Sequence, residues 1–475
     1  MNKQPSIFPV LCAVPLICFL APVACPAAPA TLDDTAKVLA GLPPAPSSPL
    51  APVASGAACQ QQYPKLAQMW ERFEERQLSK ARAWADRELP AVRRESPVLY
   101  YTFSGPDILY AHAFFPDCRT YVLCGLEPVG RVPDLESIGP DRLGRSLSRF
   151  YGSLKNFLAL SFFKTKDMGS DFRNEDLPGT TPVLMTFLAR LGKTVRSVEL
   201  IGLDRDGNES PRSEPGVASA GVKPGVKIVF DSGPGSAEQT VYYFTADISN
   251  KGLTENPGFA NFCRKLEPGA GFAKAASYLM HGSAFSATRD FLLERCKYIL
   301  QDDTALPVSV YNDRKWNVRP YGRYVRTINE FSGHYQKDLA EVYASADRVP
   351  LDFGVGYYYR VDECNMILAA RGDAPAPTVV AAPSVAVSAP APAAPAEPSI
   401  VVAAAEPAPA PTPATIVVAA ATQTAETKTP RKKLIELEAE ELRIRKDPAL
   451  DKKQRMEKLR AIWKLQLEVM GKKAA

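Results

Sequence analysis

The chain has 475 residues, with 57 Lys/Arg against 52 Asp/Glu, 43 prolines and 29 glycines. That length allows two or three domains, and scarce glycine without a three-residue period excludes collagen. Aromatics at 9% with recurring apolar runs exclude disorder throughout, and a single long apolar stretch near the start excludes a multi-span membrane protein.

The leader comes first. Lys3 and the amino terminus form a positive n-region, Ile7 to Ala24 is apolar, and Ala28-Pro29-Ala30 is an A-x-A cleavage site. Residues 1–30 therefore read as a signal peptide, and the protein as periplasmic or otherwise exported. A lipid anchor at Cys25 and a retained N-terminal anchor are the alternatives. Pro22-Val23-Ala24 lacks the large aliphatic residue usual before a lipidated cysteine, and Pro9, Pro15 and Pro22 interrupt the apolar run. Export changes the meaning of the six cysteines beyond the leader, Cys59, Cys118, Cys124, Cys263, Cys296 and Cys364. An oxidising compartment permits disulfides among them, in any of fifteen connectivities. The competing reading makes several of them small buried apolar residues.

Residues 31–58, rich in Ala, Pro and Ser, read as a flexible segment. An amphipathic helix starts near Tyr63, with Leu66, Trp70, Phe73, Ala81 and Trp84 on one side. Val98–Phe103 and Thr120–Cys124 read as strands, separated by the turn Ser104-Gly105-Pro106-Asp107 and an apolar run ending at Pro116. Leu143, Leu147, Phe150, Leu154 and Leu158 predict a long helix over 141–163, and a shorter one follows over 183–191. Strands are expected around 195–203, 226–231 and 240–246. Helical stretches are then expected near 258–266, 272–281 and 284–301. Strand-like pieces return at 308–311 and 316–325, with a helix near 335–344 and sheet within 353–368. Helices and strands alternate in blocks rather than in strict βαβ order. The expected fold class is therefore α+β, with mostly antiparallel strands in one main domain over 59–372.

Residues 373–430 turn to Ala, Pro, Val and Thr, with eleven prolines between Pro375 and Pro413, and read as a disordered linker. The tail, 431–475, reads as a short basic helical hairpin broken at Asp447-Pro448, with Met456, Leu459, Trp463 and Met470 on one seam. It carries 14 Lys/Arg and 8 Asp/Glu, which leaves 43 basic and 44 acidic groups elsewhere. The basic character belongs to the tail. The near-neutral body argues against a nucleic-acid-binding domain, which needs a clustered basic face. An envelope protein or an anionic envelope polymer is the partner expected for 431–475.

Candidate sites are few. His112 with Asp107, or His334 and His281 with Asp302 and Asp303, offer acid–base pairs for a hydrolase, but no H-E-x-x-H or G-x-S-x-G accompanies them. No metal site or cofactor is expected. Asp204-Arg205-Asp206-Gly207-Asn208 reads as a turn, because a calcium loop in that register lacks its first acid and its last Glu. Gly233-Pro234-Gly235 is turn punctuation without the Lys-Ser/Thr of a phosphate loop. Trp316, Tyr321, Arg323 and Tyr324 combine aromatic faces with guanidinium groups, a pattern suited to glycans or anionic polymers, against the rival reading of ordinary strand packing.

Phe103-Ser104-Gly105-Pro106-Asp107, Tyr110-Ala111, Phe114-Phe115-Pro116, and Tyr121-Val122-Leu123 leading to Gly125-Leu126-Glu127-Pro128-Val129-Gly130 resemble a family of exported bacterial proteins without an assigned activity. Gln77-Leu78-Ser79-Lys80, Ala83-Trp84 and Gln301-Asp302-Asp303 fit the same pattern. The resemblance covers roughly residues 31 to 361. It implies an envelope setting and offers no catalytic residues. The function expected is that of an exported, non-catalytic envelope protein with a docking tail; the alternative is a periplasmic hydrolase.

Overall fold

Thr31 and Asp34 cap the first helix reciprocally: the Asp34 amide donates to Thr31 Oγ1 (3.0 Å), and Thr31 donates back to the Asp34 carboxylate. A computed structural model of the chain describes residues 30–160, 162, 174–213, 221–312, 316–345, 348–357, 361 and 363–372, with scattered residues between 440 and 465. Helix α1 (Leu32–Leu39) buries Ala36, Val38 and Leu39, and α2 (Leu50–Ser55) buries Leu50 and Ala54. The segment 31–58 is thus folded rather than flexible, because its few apolar side chains fall at helical spacing and reach the core. Helix α3 (Ala57–Phe73), a π-helical turn (Glu74–Leu78) and α4 (Ser79–Glu88) then run on without a break, and non-helical Leu89 separates them from α5 (Pro90–Arg94).

Strand β1 (Val98–Tyr101) leads through α6 (Ile108–Phe114) to β2 (Thr120–Gly125). The long α7 (Pro140–Leu160) buries the predicted Leu143–Leu158 stripe, and α8 (Thr181–Arg190) is buried over most of its length. Strands β3 (Thr194–Leu203), β4 (Glu209–Pro211), β5 (Lys223–Asp231) and β6 (Gln239–Thr245) follow. Helices α9 (Asn250–Glu255) and α10 (Gly258–Lys265) precede β7 (Gly269–Ala273), and α11 (Ser286–Arg295) precedes β8 (Cys296–Gln301). Strand β8 lies where helix was expected, whereas β7 fills the gap between the expected helices 258–266 and 272–281 and overlaps the second only at Phe272 and Ala273. The chain then makes α12 (Ser309–Asn312), a single turn in place of a predicted strand piece, β9 (Trp316–Gly322), α13 (Lys337–Ser345) and β10 (Asn365–Arg371).

The ten strands form one mixed sheet, ordered β4-β3-β5-β6-β2-β1-β7-β8-β10-β9. The fold class is α+β, and five of its nine strand pairings are antiparallel. The other four are parallel and contiguous, so β6, β2, β1, β7 and β8 run the same way through the centre. Numbered among themselves in chain order, these five stand 3-2-1-4-5. The direction of winding reverses between β1 and β7, as in doubly wound sheets. Strand β9, beyond antiparallel β10, again points with the parallel block.

Each face of the sheet carries its own core. Leu99 and Tyr101 of β1 pack with Leu66, Phe73, Trp84, Leu147 and Phe187 on one face, whereas Val98 and Tyr100 pack with Phe259, Phe262, Phe291 and Leu292 on the other. This alternation along β1 is the period-two signature of a strand covered on both sides. The crossovers respect it: α6, α7 and α8 cover the first face, and α10 and α11 cover the second.

All six cysteines beyond the leader are buried and unbonded, so the disulfides that export permits are not formed. They pack as small side chains; Cys118, for example, donates to the Ser96 carbonyl (3.0 Å). No described helix is long and apolar enough to cross a membrane. The chain divides into two compact units, 1–386 and 387–475. The expected signal peptide, up to residue 29, and the expected linker 373–430 lie outside the described residues. The described residues of the tail, such as Glu440, Arg443 and Ile444, are helical.

Candidate functional site

In an open sheet whose winding reverses, the two crossovers leave the sheet on opposite faces and a crevice opens beyond the carboxyl ends of the strands between them. A cleft of about 890 Å³ occupies that position here. Its wall is built from the residues that follow β1 (Thr102 to Gly105), β2 (Leu126 and Glu127), β6 (Asp247 and Ile248) and β7 (Lys274 to Ser277). Phe103 and Phe285 touch on one side, with ring centroids 5.8 Å apart; Phe331 and Tyr357 touch on another, 5.5 Å apart. Leu126 and Leu279 on its rim are 63% and 41% exposed, an apolar edge that faces water.

The floor holds a buried ion pair. Asp107 caps α6, with Oδ1 accepting from the Tyr110 amide (3.1 Å) and Oδ2 from the Tyr101 hydroxyl (2.9 Å). Lys274, from the end of β7, places Nζ 3.0 Å from the same Oδ2 and 4.6 Å from the Tyr110 ring centroid. Both side chains are almost wholly buried, so each charge depends on the other. The Asp107 carboxylate pushes the Tyr101 hydroxyl further above its ordinary range, on top of the larger effect of burial.

The turn after β7 is strained and latched. Ala275, Ser277 and Tyr278 have φ of 52°, 54° and 56°, the left-handed region that non-glycine residues occupy at a cost of about 1–3 kcal/mol each. Asp302, at the end of β8, accepts the Ala275 amide (2.8 Å), and Thr304 Oγ1 accepts that of Ala276 (2.8 Å). Tyr357 donates to the Ala275 carbonyl (3.1 Å) and contacts Ser277 Oγ at 2.6 Å. Burial raises the Asp302 carboxyl above the ordinary range. Burial, followed by the adjacent Asp302 charge, does the same to Asp303, which accepts from the Tyr278 hydroxyl and Asn365 Nδ2 (3.0 Å).

On the opposite wall, Glu127 is only 5% exposed yet lines the cleft. Tyr243 reaches its Oε2 (3.1 Å), and Thr245 donates to its carbonyl (2.6 Å). Its Oε1 has no donor among the described residues. Gly125 permits this placement, since a Cβ there would lie 2.2 Å from Glu127 Oε2. Thr102, also in the cleft wall, has a buried hydroxyl without a hydrogen-bond partner.

The His112–Asp107 pair does not form, and the second expected group assembles only in part: the rings of His281 and His334 lie 6.2 Å apart and both pack on Tyr278, whose hydroxyl donates to Asp303. Asp107 faces Lys274 and Tyr101, whereas His112 is buried near Tyr121, its ring centroid 6.3 Å from that of Tyr121, with both nitrogens unpartnered. Burial lowers its pKa to about 3. His334 is exposed and stacks on Tyr278 at 4.8 Å, and no hydrogen bond joins it to Asp302 among the described residues. The aromatic and Arg group is no common surface either. Trp316 and Tyr324 are buried on one face of the sheet and Tyr321 on the other, against Trp84 at 4.9 Å, while Arg323 is exposed. This is strand packing. Asp204–Asn208 is the predicted turn, with Asp204 Oδ1 accepting the Asn208 amide (2.8 Å).

Of the expected residues, Asp107 and Asp302 do support the cleft, one from its floor and one behind its turn. Lys274, Glu127 and Thr102 went unpredicted. Their only signal was a polar residue at the end of a buried strand; for Lys274 it is visible only once β7 is recognised as a strand, whereas β1 and β2 were already legible. No family model, curated protein or solved structure matches the chain.

Proposed function

We propose that the α+β body is a binding domain that holds a small organic molecule in the cleft at the carboxyl ends of its parallel strands. The observation that carries this reading is the coincidence of the cleft with the point where the winding reverses between β1 and β7. A mostly apolar wall with a few oriented polar groups is the usual composition of such sites. Export, and docking of residues 431–475 on an envelope partner, complete the proposal. They rest on the leader and on the charge asymmetry of the chain.

A neutral solvatochromic dye, Nile red, tests the cleft. Its emission rises on binding the native protein. Leu126→Glu and Leu279→Glu, both at exposed rim positions, each reduce that rise at least tenfold and leave the melting temperature unchanged. A rise that neither substitution alters, or no rise at all, overturns the reading. For the tail, deletion of 431–475 changes the fractionation of the protein between envelope and soluble extracts; unchanged fractionation counts against docking.

A further inference from the structure

We infer that the ligand of this cleft is a nucleoside without phosphate, neutral or cationic at its 5′ end, whose ribose diol is held by Glu127. The inference rests on the binding-domain reading above and names the ligand class.

Three observations converge on it. The first is position. In doubly wound sheets the acid beyond the second strand accepts the ribose hydroxyls of a nucleotide bound across the first. Glu127 lies just past β2, about twenty residues beyond the first strand-to-helix turn. It is buried in the cleft wall and braced by Tyr243 and Thr245, and its Oε1 has no donor among the described residues. A carboxylate with one oxygen to spare is a natural acceptor for adjacent hydroxyls. A second, independent observation is the Thr102 hydroxyl, buried in the same wall without a partner. A buried hydroxyl of that kind costs free energy unless something bonds it.

The third is charge. The charged side chains lining the cleft among the described residues are Glu127, Asp247, Glu330 and Lys274. Lys274 is already paired with Asp107, so among the described residues no cation is left over for a phosphate. The first turn also lacks a phosphate cradle. Pro106 has no N–H, and the Tyr110 amide at the start of α6 is taken by Asp107. A dinucleotide or nucleotide is therefore disfavoured twice, by repulsion and by missing donors. The apolar faces of Phe103, Phe285 and Ile248 remain for a base.

Isothermal titration of the full-length protein with four probes tests this: adenosine, 5′-amino-5′-deoxyadenosine, adenosine 5′-monophosphate and 2′,3′-dideoxyadenosine. The first two bind, and the last two bind at least tenfold more weakly. Glu127→Gln weakens adenosine at least tenfold and leaves dideoxyadenosine unchanged. If Nile red binds in a Leu126-dependent way but adenosine does not bind, the ligand class is wrong and the cleft reading survives. If the monophosphate binds as well as adenosine, or Glu127→Gln has no effect, the inference is overturned. If neither dye nor nucleoside binds, both readings fail.

Discussion

Lys274 and Asp107 show how a single contact can be both structural and site-forming. The pair is buried beneath the cleft, and Asp107 also satisfies Tyr101 and the first turn of α6. Removing Lys274 leaves the Asp107 charge without its cation in a low-dielectric setting, which typically costs about 3–5 kcal/mol. Lys274→Met is therefore expected to lower stability by about that amount in urea unfolding. The double variant Lys274→Met/Asp107→Asn loses less than the sum of the two single changes, because the stranded charge is then gone. Additive losses would mean that the two groups are not coupled. His112 makes the complementary case for pH. Its folded pKa, about 3, lies below its ordinary value of 6.5, so it contributes stability above that ordinary value and loses it as pH falls. The expected slope is about 1.4 kcal/mol per pH unit between about pH 6 and pH 3. Asp303 has the opposite sign. Its raised folded pKa gives stability that is full below the ordinary carboxylate range and declines as pH rises through it. His112→Phe should flatten the acid loss, and Asp303→Asn should remove the opposing slope; urea midpoints measured from pH 4 to pH 7 read both.

Elements, rather than residues, decide how much of this molecule can be read in advance. The α7 stripe, the β1 and β2 runs and the β3, β5 and β6 strands were legible because each repeats apolar residues at its own period. Strand β7 was not. Gly-Ala-Gly-Phe-Ala has no β-branched residue, and all five positions are buried, so periodicity cannot distinguish it from buried helix. The β8 segment ran on from α11 without a Gly or Pro between them. Missing β7 and reading β8 as helix hid the parallel block, and with it the cleft. The reverse error concerned α1, where composition suggested flexibility although Thr31 and Asp34 already spelled a cap. Thr31→Ala is expected to cost about 1 kcal/mol, measured by thermal unfolding, because that cap anchors a helix packed on α8 and β3. A cost near zero would return residues 31–58 to the status of a tether. The strained turn after β7 makes a further point at this scale. Gly356, with φ +61°, sits where a Cβ would lie 2.1 Å from Asp302 Oδ2, the oxygen that latches Ala275. Gly356→Ala is expected to destabilise by about 2 kcal/mol or more and to weaken dye binding together with stability.

At the scale of the whole molecule, the sheet gathers its functional wall from four strand ends that are distant in sequence, so the body must fold as one unit for the cleft to exist. Residues 98–127 supply the first turn and the acid, 245–248 the third strand end, and 274–277 the strained turn. The sheet that joins them closes only with β10 at 365–371. The chain beyond belongs largely to a second compact unit that begins at 387. Its spacer is built of Ala, Pro and Val without aromatics, and its tail carries the charge excess. A protein ending at Gly372 is therefore expected to unfold in one cooperative transition, within about 2 °C of the full chain, and to bind Nile red unchanged. A broad transition, or a melting temperature lower by more than about 5 °C, would instead make the C-terminal residues part of the body's core. Because the dye reports the cleft and the melting curve reports the sheet, the two readings separate loss of the site from loss of the fold.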